Sequence, residues 1–87
     1  MKVRKLLDTC AAFPKSIKIM AFIDKLGRFE TIWSGCHPVD VPTDLLKIQV
    51  DAWDLYTEIV KDHYYAGELV SEMVEVELRI YVSEDDL

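Results

Sequence analysis

The sequence predicts an α+β domain, and three observations carry that prediction. The opening residues place apolar side chains at helical spacing. Two stretches alternate apolar and polar side chains around a glycine-marked turn. The ten residues Met73–Val82 alternate again without interruption. Eighty-seven residues make one domain, 1–87, with no room for a second core.

The first element is a helix over residues 3–11. Val3, Leu6, Leu7, Cys10 and Ala11 fall on one face. Phe13-Pro14 ends it, because proline pushes the preceding residue out of the α region. The basic residues at its start oppose the helix dipole.

The segment "SIKIMAFIDKLGRFETIWSG" reads as a β-hairpin. Ile17, Ile19, Ala21 and Ile23 alternate with Lys18, Met20, Phe22 and Asp24. Both sets are rather apolar, which points to a central or doubly covered strand. Asp24-Lys25-Leu26-Gly27 fits a turn closed by a glycine in the left-handed region. Phe29, Thr31 and Trp33 then alternate with Arg28, Glu30 and Ile32. "CHPVDVP" follows as a loop, and Thr43 is a good N-cap with Asp44 in the first turn behind it.

Residues 44–66 fit a second helix. At 100° per residue, Leu45, Leu46, Ile48, Ala52, Trp53, Leu55, Tyr56, Ile59, Val60, His63 and Tyr64 fall on one arc. Asp44, Lys47, Asp51, Asp54, Thr57, Glu58, Lys61, Asp62 and Tyr65 fall on the other, and Gly67 stands where a helix-stopping glycine belongs. On this model Trp53, Tyr56 and Tyr64 are core. The alternative is a strand over 48–60 with one bulge, favoured by its Val, Ile, Trp, Tyr and Thr content. The last strand has Val74, Val76, Leu78, Ile80 and Val82 on one face and Glu75, Glu77, Arg79 and Tyr81 on the other. "SEDDL", 83–87, is an acidic flexible tail. The predicted order is α-β-β-α-β, with a small antiparallel or mixed sheet packed by helices. The alternative is a four-stranded sheet.

Charge narrows the function. Residues 1–39 carry seven basic and three acidic side chains, and residues 40–87 carry three basic and thirteen acidic, so the whole chain is at −6. A half at −10 repels phosphates and disfavours nucleic acid as its direct partner, while favouring a basic one. Plain solubility is the competing explanation. No apolar run is long enough to span a bilayer. The basic opening "MKVRKLLDTCAAF" is broken early by Asp8, which reads as mature, cytoplasmic sequence.

Candidate chemistry is sparse. Cys10, Cys36, His37 and His63 lack metal-binding spacing, so no metal or other cofactor is expected. Cys36 with His37 or His63 has no nucleophile signature around it, and the two cysteines read as buried thiols. No catalytic residues are assigned and no enzyme is expected. Asp51, Asp54, Glu58 and Asp62 would form one exposed stripe on the helix, rising ~6 Å per step, close to the ~7 Å phosphate spacing of one nucleic-acid strand. Such a stripe, with Tyr65 nearby, could enter a basic groove meant for nucleic acid. A merely solvated face is its competitor. Trp33, near a strand end, and Tyr65 are the candidate interface anchors.

The "MKVRKLLD" opening, the short hairpin, "VPTDLL", "VDAW" and the final alternating strand together resemble small uncharacterised proteins of Gram-positive bacteriophages and conjugative elements. The resemblance covers most of the chain through loose motifs. It implies a strand at "IQVDAW" and a mobile-element setting, where small acidic proteins often inhibit host defence enzymes, anti-CRISPR inhibitors among them. It supplies no catalytic residues. The leading expectation is a non-catalytic binding protein that offers its acids to a basic host protein surface. A structural or oligomer-forming protein is the alternative, and a small thiol or metal enzyme comes third.

Overall fold

In the computed structural model the backbone is described for residues 1–10, 16–65 and 68–87, and side chains for 1–9, 16–57 and 75–87. The elements are α1 (Val3–Cys10), β1 (Ser16–Ile23), β2 (Arg28–Gly35), a 3-10 turn at Pro38–Asp40, α2 (Thr43–Leu46), β3 (Val50–Tyr65), β4 (Glu68–Val82) and a 3-10 turn at Glu84–Asp86. The domain is α+β. Its single sheet is mixed, with strand order β2-β1-β4-β3. β1 runs parallel to β4 and antiparallel to β2, and β3 pairs antiparallel with β4.

The hairpin forms as its turn residues predict. Gly27 has φ 66°, and its N–H donates to Ile23 O at 2.8 Å. The helix stops expected at Phe13-Pro14 and Gly67 lie outside the described residues.

Alternation builds the core on one side of the sheet. Val3, Leu6 and Leu7 of α1 pack on Ile17, Ile19 and Ala21 of β1 and on Leu78, Ile80 and Val82 of β4, with Val41 and Ile48 at the margin; all are buried. The N-terminus ties in through Val3 N–H to Ile48 O at 3.0 Å and Val50 N–H to Met1 O at 2.7 Å.

The long helix over 44–66 is corrected: helix is confined to Thr43–Leu46, and the chain is strand from Val50 onward. β-branched and aromatic side chains suit a pleated surface, and β4 would otherwise present a long bare edge. The strand alternative is the one the chain adopts, over Val50–Tyr65 instead of 48–60, with a bulge between Val50 and Ala52 instead of after Ala52. Pro42, not Thr43, is the N-cap of α2, with no side-chain cap.

A second bulge refaces β2. Trp33 pairs with Ile19 and Thr31 with Met20, so Ile32 is the extra residue. Trp33 therefore turns to the core, partly buried, instead of sharing a face with Phe29. Residues 83–87, expected as a flexible tail, carry a turn capped by Ser83, whose Oγ accepts from Asp85 N–H at 3.2 Å. Glu84 Oε2 accepts from Asp24 N–H at 3.1 Å, joining that turn to the hairpin.

Candidate functional site

The face of the sheet opposite α1 is where the chain's unassigned side chains collect. Period-2 alternation sends Lys18, Met20 and Phe22 of β1 and Glu77, Arg79 and Tyr81 of β4 away from the core. Among the described residues no element covers this face. β1 is a central strand, one of the two readings its apolar faces allowed, and its second face is open among the described residues.

Its floor is aromatic. Phe22 and Phe29, paired across β1 and β2, meet edge to face with ring centroids 5.3 Å apart, and Phe29 meets Tyr81 at 5.3 Å in the same manner. Phe22 and Phe29 are nonetheless 43% and 51% exposed. A groove of about 750 Å³ runs over these rings.

Its rim is acidic. Asp24 comes from the hairpin turn, Asp51 and Asp54 from β3, and Glu84 and Asp85 from the C-terminal turn; among the described residues Arg79 is the one cation lining the groove. That cation is already engaged. Its Nε donates to Glu77 Oε2 at 2.8 Å, and its Cζ lies 4.3 Å from the Tyr56 ring centroid. Glu77 also takes Lys18 Nζ at 3.5 Å and Ser16 Oγ at 3.4 Å. Burial pushes the Glu77 carboxyl up, but the Arg79 hydrogen bond and the charges of Lys18 and Arg79 outweigh it and hold it below the usual carboxylate range. The same hydrogen bond raises Arg79.

The predicted stripe is redistributed by the strand. Asp51 and Asp54 are exposed and line the groove. The backbone of Glu58, Asp62 and Tyr65 continues β3, with Glu58 opposite Glu75 and Tyr65 opposite Glu68; their side chains lie outside the described residues. A helical stripe over the four acids is thus corrected. Trp53 and Tyr56, expected in the core, are 44% and 47% exposed because β3 is an edge strand. The side chains of Tyr64, His63 and Cys10 lie outside the described residues. Cys36, expected to be buried, is exposed. Among the described residues no cluster of three His, Cys, Asp or Glu side chains could hold a metal ion.

Sequence reasoning missed Asp24, Asp85 and the aromatic floor. The available signal was the apolar second face of β1, whose Met20 and Phe22 needed either a cover or a partner. A second, basic pole lies at the other side of the molecule, where Lys2, Arg4, Lys5 and Lys47 surround a shallow pocket with Asp8 and Leu46. Among the described residues no helix is long and apolar enough to cross a membrane. In comparison with known proteins, no family model matches the chain, and neither a curated protein nor a solved structure gives a significant match.

Proposed function

We propose that the protein is a non-catalytic binding module that takes a basic segment of another protein on the open face of its sheet. The observation that carries this reading is the groove itself: exposed, mutually packed rings ringed by five carboxylates, with Arg79, its one cation among the described residues, already paired. Aromatic side chains supply apolar contact area and ring faces for cations. The carboxylates supply steering toward a positively charged partner and repel phosphate. Together they suit Lys- or Arg-bearing protein surface better than nucleic acid. The mobile-element resemblance gives this module a natural use in the host cytoplasm, as an inhibitor that occupies the basic surface of a nucleic-acid-binding defence protein.

The test is capture of partners from host lysate at low and high salt, comparing wild type with Asp51→Asn/Asp54→Asn/Asp85→Asn. A partner retained by wild type at low salt, weakened by salt and lost by the variant supports the reading. Equal capture by both proteins, or capture through the basic Lys2–Arg4–Lys5 pole, would sink it.

A second reading rests on β3. Trp53 and Leu55 stand exposed on an edge strand, and such edges can join copies of one chain. Light scattering separates the two: a clean monomer at high concentration removes the oligomer-forming role.

A further inference from the structure

The groove adjoins the outer edge of β3, which beyond Val50 pairs with no strand among the described residues. β3 is the last strand of the sheet and bonds to β4 on one side. At its start the outer edge meets the N-terminus, through Val50 N–H to Met1 O and the Lys2–Gln49 bridge. Beyond Val50, among the described residues, no strand pairs with that edge. The backbone groups of such an edge form a template for another extended chain.

Resting on the reading of the groove as a protein-binding face, we propose that the outer edge of β3 accepts an extended segment of the partner protein in which basic and apolar residues alternate. The two faces of β3 dictate that pattern. Ala52, Asp54 and Tyr56 share the groove side of the sheet, opposite Tyr81, Arg79 and Glu77, and Asp51 at the bulge lines the groove with Ala52 and Asp54. Trp53 and Leu55 share the helix side, opposite Ile80 and Leu78, and are 44% and 49% exposed. An added strand places successive side chains on alternate faces. Its groove-side residues meet carboxylates and the Tyr56 ring, and its helix-side residues meet Trp53 and Leu55. Basic and apolar residues in alternation satisfy both.

The other edge of the sheet is a poorer template. β2 is interrupted midway by the bulge at Ile32, and bulges twist an edge away from pairing, whereas the bulge of β3 lies at its start and leaves the register regular from Ala52. A second copy of this chain fits the β3 edge badly. The segment 50–65 carries four acids and one lysine, so like charges would be brought together, whereas a basic strand neutralises them.

The experiment uses the full chain and four nine-residue peptides. One alternates Arg with Val, one is its block isomer of identical composition, and two are the alternating peptide N-methylated at every second residue, one along each edge. Affinity is measured at low salt, and hydrogen exchange of the β3 amides is followed by NMR. The alternating peptide should bind about tenfold or more tightly than the block isomer, slow exchange at alternate amides between Asp51 and Thr57, and lose binding when methylated along only one of its two edges. Equal binding of the block isomer without protection of β3 overturns strand addition and leaves the groove reading standing. No binding of either peptide overturns both. Peptide-free protein that is already dimeric with β3 protected assigns the edge to a second copy and overturns the proposal.

Discussion

Arg79 lies across the ring of Tyr56, with its guanidinium carbon 4.3 Å from the ring centroid. The stacking has an electrostatic consequence at Asp54, the direct cross-strand partner of Arg79. Held by the ring and by Glu77, the guanidinium forms its ion pair with Glu77, and Asp54 lines the groove without it. Tyr56→Ala frees Arg79 to turn to Asp54. A basic peptide should then bind more weakly, about three- to tenfold, although no acid has been removed. The effect should vanish in an Asp54→Asn background, which a double-mutant cycle by calorimetry reads directly.

Glu77 gives the groove face a pH dependence. Its carboxyl is held below the usual range despite burial, by the Arg79 hydrogen bond and the Lys18 and Arg79 charges. A depressed folded-state pKa means stability that is present above the unfolded value and is lost as pH falls through the folded one. Glu77→Gln should therefore lower stability at pH 7 by about 1 kcal/mol. The difference from wild type should shrink toward zero as the pH falls through the carboxylate range. Urea denaturation at neutral and acidic pH checks it; a gap that persists in acid would contradict the ion-pair account.

Phe29 separates stability from binding. It touches Phe22 and Tyr81 edge to face yet remains half exposed. Phe29→Ala removes two ring contacts from a solvated face, costing about 1–2 kcal/mol. Leu6→Ala, in the fully buried helix-side core, should cost about 2–5 kcal/mol. The binding order is the reverse: Phe29→Ala should abolish basic-peptide binding, while folded Leu6→Ala should retain it. Thermal melts and titrations on the same samples test both orders.

Those contrasts bear on what was legible in the sequence. The first helix, β1 and the last strand were readable because each buries one face against the core, which leaves a clean period, and the hairpin was marked by its turn glycine. Residues 48–65 were not, because β3 is an edge strand with Trp53, Leu55 and Tyr56 exposed. Without a buried face among its described residues, its apolar side chains fit a 100° wheel as readily as a pleat. The two bulges, at Asp51 and Ile32, shifted side chains across the sheet in a way that local spacing does not encode. Asp51 and Asp54 were legible as acids at a surface. Their companions Asp24 and Asp85 come from distant turns that tertiary structure alone joins.

The bulge at Ile32 also makes a prediction about the glycine that follows it. By turning Trp33 to the core side, it brings the indole over Gly35, where an added Cβ would stand 2.6 Å from the ring atom Cη2. Gly35→Ala must displace the ring from its packing against the core, costing about 1–3 kcal/mol. Gly27 offers the control. Its φ is 66°, but an added Cβ there would meet nothing within 4 Å. Gly27→Ala should therefore cost only the conformational term, about 1 kcal/mol. Measured in a Trp53→Phe background, so that Trp33 is the sole indole, the two variants should also differ in emission. Gly35→Ala should red-shift the spectrum as the ring moves toward water, and Gly27→Ala should leave it unchanged. Unshifted emission in both would mean that Trp33 does not lie over Gly35 in solution.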